Sequence, residues 1–160
     1  MLIAAAYQAV SFYTFSRSLD RSLETALDAF LPFLPWTVVF YITLYFFWLP
    51  PIFSKNVKER DYLKIVTAVG ISFAIALILH LIIPSAYPRP EISSAAAGES
   101  WSMSLLKKVY ALDLPNNTFP STHVVVVATL ILMTAPYFKK WNHRAYSSWG
   151  SLISISTLTA

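Results

Sequence analysis

The sequence contains no cysteine. That removes disulfides, thiolate nucleophiles and Cys-ligated metals from consideration. It is also poor in charge. Asp, Glu, Lys and Arg make up 12% of its 160 residues, against about 25% in an ordinary soluble domain. So few ionisable groups cannot coat a water-facing surface. Internal repeats and low-complexity segments are missing as well. Residues 1–6 carry no basic side chain ahead of the apolar run that follows. A cleaved signal peptide has one there, so the segment is expected to be retained.

What the chain has instead is apolar mass in long runs. Hydrophobic residues make up 56% of it, and the mean hydropathy is +0.56. A spanning helix needs roughly 20 mostly apolar residues, since a rise of about 1.5 Å each must cross about 30 Å. Residues 34–53 meet this, with Trp36 and Trp48 near the ends. Residues 62–83 meet it too, bounded by a charged stretch and by Pro84. Residues 123–138 are shorter but strongly apolar, and residues 2–15 and 147–160 complete the set. The expected fold class is all-α, a polytopic transmembrane helical bundle forming one domain over residues 1–160, incomplete at its C-terminus.

The net charge of +4 does not point to nucleic acid, because Lys and Arg sit mostly in short loops between apolar runs. Residues 54–64 carry Lys55, Lys58, Arg60 and Lys64 against Glu59 and Asp61. Residues 139–144 carry Lys139, Lys140 and Arg144 with no acid. Both stretches are expected on the cytoplasmic side, and two intervening spans would put them there together. Residues 16–33 and the long loop 84–122 then face the extracytoplasmic side. Within the first, Leu19, Leu23, Ala26, Leu27 and Phe30 recur at helical spacing opposite Arg21, Glu24 and Asp28. That pattern predicts an amphipathic surface helix over residues 18–30.

The loop 84–122 holds the chemistry. It opens with Tyr87-Pro88-Arg89-Pro90 and closes with Phe119-Pro120-Ser121-Thr122-His123. An antiparallel pair of spans would bring Arg89 and His123 together. Ser121 is a good N-cap for the following helix, whose free N–H groups and dipole favour a phosphate. His123 sits in the first turn, able to give or take a proton near physiological pH. Arg89, flanked by two prolines of fixed φ, suits bidentate phosphate contact. Each has a plainer use: Arg89 as interfacial anchor, His123 against headgroups, Ser121 as a simple cap.

Pro120-Ser121-Thr122-His123 resembles the second signature, P-S-x-H, of the type 2 phosphatidic acid phosphatase superfamily. Its members share a helical-bundle fold with the vanadium haloperoxidases, whose soluble character makes a haloperoxidase activity unexpected here. Arg89-Pro90 resembles the end of the first signature, a Lys, six residues, then Arg-Pro. The run Leu27-Asp28-Ala29-Phe30-Leu31-Pro32-Phe33-Leu34-Pro35-Trp36 is similar to the branch related to inositol phosphorylceramide synthases. The resemblance covers most of the chain from about Leu27 onward. It implies a metal-free and cofactor-free mechanism. A third-signature His (S-R, five residues, H), oriented by an Asp, attacks phosphorus to form a phosphohistidine. Carried over by position, His123 is the general acid, and Arg89, Ser121 and the Thr122 amide bind phosphate. The implied substrate is a lipid phosphate or lipid diphosphate in a membrane.

Two positions depart from the pattern. Ile82 stands where the first-signature Lys belongs, with Lys107 or Lys108 as replacements. The third signature is absent. Ser156-Thr157 matches its opening only with Thr in the Arg position, and the sequence stops at Ala160. His143 is no substitute, since the charge pattern puts it across the membrane. As given, the chain lacks the nucleophile. The expected function is therefore a lipid-phosphate phosphatase missing one part. The alternatives are a phosphotransferase moving a phospho-headgroup between lipids, or a non-catalytic membrane scaffold.

Other residues carry less. His80 is expected to snorkel to the interface from its span. Asn116-Asn117-Thr118 is a glycosylation sequon, discounted because a glycan would obstruct the site. Asp113 reads either as a loop-lining residue or as a solvated carboxylate. Trp101, Tyr110 and the remaining Trp and Tyr residues fit interfacial belts. The natural coding sequence is expected to continue past Ala160 with a histidine within a few codons. Sequencing the downstream region checks this, and an immediate stop codon defeats it.

Overall fold

The computed structural model describes residues 2–18, 30–87, 89 and 100–159. Among these the fold is all-helical, with no strand and a single isolated bridge between Ala86 and Asn116. The helices are α1 (Leu2–Ser18), α2 (Val38–Thr43), α3 (Leu49–Phe53), α4 (Glu59–Ile82), α5 (Trp101–Leu112), α6 (Thr122–Thr134) and α7 (Lys140–Thr159). The amphipathic helix expected over 18–30 falls largely on residues outside the described set.

Helix α4 shows why a sequence of this kind makes a long rod. Glu59 and Asp61 occupy its first turn, where the helix dipole favours negative charge. Apolar side chains then continue without a breaker until Pro84 forbids further helix. Its 24 residues extend about 36 Å at 1.5 Å each. Helix α4 and the segment Pro35–Phe53 are long and apolar enough to cross a membrane. Only 22% of each apolar window is buried, unlike the core helix of a soluble protein. Ile71, Ile75, Ile78 and Ile82 of α4 face outward.

Several boundaries differ from the sequence expectation. The run 34–53 is a broken helix. Short 3-10 turns at Pro35–Thr37 and Leu44–Phe46 flank α2, and α3 follows. Pro50 and Pro51 lack the N–H groups that would continue the ladder back to residues 46 and 47. Helix α6 stops at Thr134, four residues short of the expected 138, because Pro136 ends it. Helix α7 starts at Lys140 rather than 147. The basic stretch 139–144 is thus mostly helix and not a loop; a run of positive charge does not break a helix. The loop 84–122 contains α5, which hydropathy alone hid. Ser100 caps it, accepting from the Met103 N–H at 3.3 Å, and Leu106 buries its inner face.

The antiparallel register of α4 and α6 is fixed at three levels. His80 Nε2 meets the Pro120 carbonyl at 3.0 Å. Thr129 Oγ1 lies 3.2 Å from Ser72 Oγ. At the far end Asn56 Nδ2 donates to the Tyr137 carbonyl at 3.0 Å. The two basic stretches therefore share one end of the bundle. Helix α7 runs back along the broken helix. Tyr146 Oη donates to the Phe47 carbonyl at 2.8 Å, Trp149 Nε1 donates to Thr43 Oγ1 at 2.8 Å, and the Leu34 N–H donates to the Thr159 carbonyl at 2.7 Å.

Between these helices Phe47, Ile65, Val69, Val126, Val127, Leu130, Tyr146 and Ile153 form the buried core. Phe47 stacks on Tyr146 with ring centroids 4.1 Å apart, and Trp149 meets Phe47 edge-on at 5.0 Å. Gly150 makes this possible. A Cβ there would lie 2.7 Å from Ile131 Cδ1, 2.8 Å from Val127 Cγ1 and 3.0 Å from Phe47 Cζ. Gly150→Ala is expected to destabilise the fold by about 1–3 kcal/mol through overpacking. Thermal unfolding in detergent measures this; an unchanged midpoint would mean that α6 and α7 can separate at little cost.

Candidate functional site

The end of the bundle opposite the basic stretches holds a cavity of about 460 Å³. Five helices reach it. Tyr7 comes from α1, Tyr41 from α2, Tyr110 from α5, His123 from α6, and Ser156 and Thr157 from α7. Arg89, Asp113, Asn117 and Ser121 add polar groups to its lining, and Leu31, Phe33, Val38, Leu106, Val109 and Leu158 add apolar ones. Each of the residues singled out from sequence, Arg89, Ser121, Thr122 and His123, lines this one cavity.

The two flanks of the long loop are pinned to each other beneath the cavity. Ser85 is fully buried. Its carbonyl accepts from the Asn117 N–H at 2.7 Å, and its Oγ accepts from the Phe119 N–H at 3.1 Å. Tyr87 N–H reaches the Pro115 carbonyl at 3.4 Å. Helix α1 adds a second set of ties. Ser11 Oγ donates to Asn116 Oδ1 at 2.7 Å, Asn116 Nδ2 donates to the Ser11 carbonyl at 2.7 Å, and Thr14 Oγ1 lies 2.8 Å from Asn117 Oδ1. Asn117 adopts φ 57°, a left-handed conformation that asparagine tolerates better than most residues. Asn116 is buried and fully engaged, so the sequon cannot accept a glycan in the folded chain.

His80 does not snorkel. It is fully buried at the end of α4, and its Nε2 donates to the Pro120 carbonyl. A carbonyl can only accept, so Nε2 carries the proton and Nδ1 is left without a partner among the described residues. The bond holds the residue just before Ser121. Ser121 then caps α6, its Oγ accepting from the Val124 N–H at 3.5 Å. The first turn of α6 thus begins at the cavity, with Thr122 and His123 in its wall.

Arg89 already has partners. Its Nη1 donates to the carbonyls of Tyr110 at 3.3 Å and Asp113 at 2.5 Å, and its Nη2 donates to the Leu114 carbonyl at 3.2 Å. These are carbonyls at the C-terminal end of α5, where a cation is favoured. The guanidinium also stacks over the Tyr110 ring, 4.3 Å from its centroid. Burial pushes the Tyr110 phenol above its usual pKa, with the neighbouring guanidinium working the other way. Asp113 lies 3.6 Å from Arg89 Nη2. Its carboxylate accepts from Tyr41 Oη at 3.0 Å and from Tyr7 Oη at 3.2 Å. The Tyr41 ring in turn lies against His123, with centroids 4.1 Å apart and planes at 30°.

Sequence reasoning missed this cluster. It left Asp113 undecided and assigned Tyr7 and Tyr41 to membrane belts. One signal was available for Tyr41, which sits inside the apolar run rather than at either end. Ile82, at the expected Lys position, is 63% exposed and faces away. Among the described residues, neither Lys107 nor Lys108 lines the cavity. His143 lies near the Ile131 carbonyl at 3.3 Å, about 12 Å along α6 from the level of His123. Among the described residues no three His, Cys, Asp or Glu side chains group as a metal site.

Comparisons with protein families, with curated proteins and with solved structures return no match to this chain.

Replacing His80 by leucine strips the Pro120 carbonyl of a buried donor, a loss of about 1–3 kcal/mol. His80→Gln, whose amide can donate in the same direction, is expected to recover part of it. Equal unfolding midpoints for the His80→Leu variant and the unaltered protein would show that the bond holds nothing.

Proposed function

We propose that this chain carries the phosphate-recognition site of a multi-pass membrane phosphatase, related to the type 2 phosphatidic acid phosphatases, that acts on a lipid-linked phosphate. The observation that carries this reading is the meeting of Arg89, Ser121, Thr122 and His123 at one cavity, although Arg89 and His123 are separated by more than thirty residues of chain. The cavity lining offers both polar groups for a headgroup and apolar side chains for lipid chains. An extracytoplasmic site is supported by the basic stretches, which gather at the other end of the bundle.

In this reading a phosphoryl group sits at the N-terminus of α6. Ser121 and the Thr122 amide hold its oxygens, and Arg89 supplies positive charge. A histidine nucleophile attacks phosphorus, and His123 gives its proton to the departing lipid oxygen. Water then attacks the phosphohistidine, with His123 taking the proton back. None of the three histidines present can be that nucleophile. His123 serves as the acid, His80 is spent on Pro120 and His143 lies at the far end. The last turn of α7, through Ser156, Thr157 and Leu158, lines the same cavity.

The non-catalytic reading draws on one observation, that the Arg89 charge is met within the fold by Asp113. Transfer to an alcohol rather than water uses the same machinery. In the natural gene product, His123→Ala is expected to lower release of phosphate from labelled lipid phosphate by about 10²–10⁴-fold. Arg89→Ala is expected to lower it as well. Unchanged rates in both leave only the scaffold. Adding an acceptor alcohol separates the two enzymes: labelled phospholipid product instead of free phosphate marks the transferase.

A further inference from the structure

Arg89 faces a carboxylate, and that carboxylate is held as an anionic ligand would be. Two phenol hydroxyls from different helices converge on Asp113, one on each oxygen, while the guanidinium stands 3.6 Å away. Tyr7 and Tyr41 lie on α1 and α2, and Asp113 follows α5. Helix α1, helix α2 and the loop that bears Arg89 therefore build one anion seat around Asp113, and the seat opens on the cavity beside His123.

We propose that Asp113 is a resident counter-anion, and that its carboxylate fills a seat made by Arg89, Tyr7 and Tyr41 which the phosphoryl group of the ligand takes over. The inference rests on the phosphate reading and extends it by two binding residues, Tyr7 and Tyr41, that no signature assigns. A carboxylate and a phosphoryl group each offer oxygens that accept from a hydroxyl and a guanidinium. The exchange therefore keeps both tyrosine hydroxyls satisfied and the guanidinium beside a negative charge. Without an occupant, two tyrosine hydroxyls would lose their acceptor and the guanidinium, bonded to carbonyls, would lose its counter-charge, at a desolvation cost. With Asp113 in place the empty site is neutralised, and a free anion must displace it. The Tyr41 ring also lies on His123, so the exchange of partners at the Tyr41 hydroxyl happens next to the proposed acid.

The test is titration of inorganic phosphate into the full chain in detergent, followed by calorimetry or ³¹P line broadening. Asp113→Asn keeps the shape and removes the charge. Phosphate affinity is expected to rise by about tenfold or more, and to fall severalfold when Tyr7→Phe and Tyr41→Phe are added to Asp113→Asn. If Asp113→Asn fails to fold, the double Tyr variant in the otherwise unaltered protein probes the same seat and is expected to bind phosphate more weakly. Affinity that is unchanged or lower in Asp113→Asn, with binding still abolished by Arg89→Ala, overturns the seat and leaves the phosphate site standing. Tyrosine changes without effect overturn the seat in the same way. Phosphate binding that is absent from every variant, or indifferent to Arg89→Ala, overturns both.

Discussion

Ser85, fully buried at the foot of the long loop, binds the backbone of Asn117 through its carbonyl and that of Phe119 through its hydroxyl. His80, one turn earlier, holds Pro120. These short bonds join the end of α4 to the start of α6, and everything at the cavity is placed relative to them. Arg89 leaves on one strand of the neck and Ser121 begins the helix on the other. Loosening that neck would free the cap of α6 and the carbonyls that hold Arg89 at the same time. Ser85, His80 and Asn117 are buried there, where an unmade hydrogen bond is costly. The site is thus positioned by buried polar groups, while the aromatic core around Phe47 and Tyr146 sets the spacing of the helices.

The long apolar rods were legible because their signal is additive. Twenty-odd apolar residues ended by proline read the same way in sequence and in the fold, as α4 shows. Antiparallel pairing of α4 with α6 followed from their order, and it delivered Arg89 and His123 to one cavity. The failures have a common physical origin. Charge was taken to mark loops, yet Lys140 and Arg144 lie in α7. Hydropathy marks spans and is silent on short helices such as α5, whose stability comes from a Ser100 cap and packing of Leu106. The break in the segment Pro35–Phe53 depended on two prolines inside an otherwise continuous apolar run.

At the site, the residues with a local pattern were found and those without one were not. Ser121 and His123 belong to a four-residue motif at a helix start. Asp113, Tyr7 and Tyr41 have no such grouping. They meet because α1, α2 and α5 pack around one end of the bundle, and their partners lie 72 and 106 positions apart in the chain. The same holds for His80, whose role is set by a partner forty positions away. A polar residue inside an apolar run has to be satisfied by something; its sequence alone does not say by what.

The break in the segment Pro35–Phe53 reaches beyond geometry. In a hydrocarbon environment no water can satisfy a carbonyl released from the helical ladder. The Phe47 carbonyl is satisfied by the Tyr146 hydroxyl, from a residue 99 positions later. During synthesis the early helix therefore emerges long before its donor exists. Until α7 packs against it, the broken helix has one backbone acceptor with neither a ladder partner nor a side-chain donor, so the two segments can reach their final form only together.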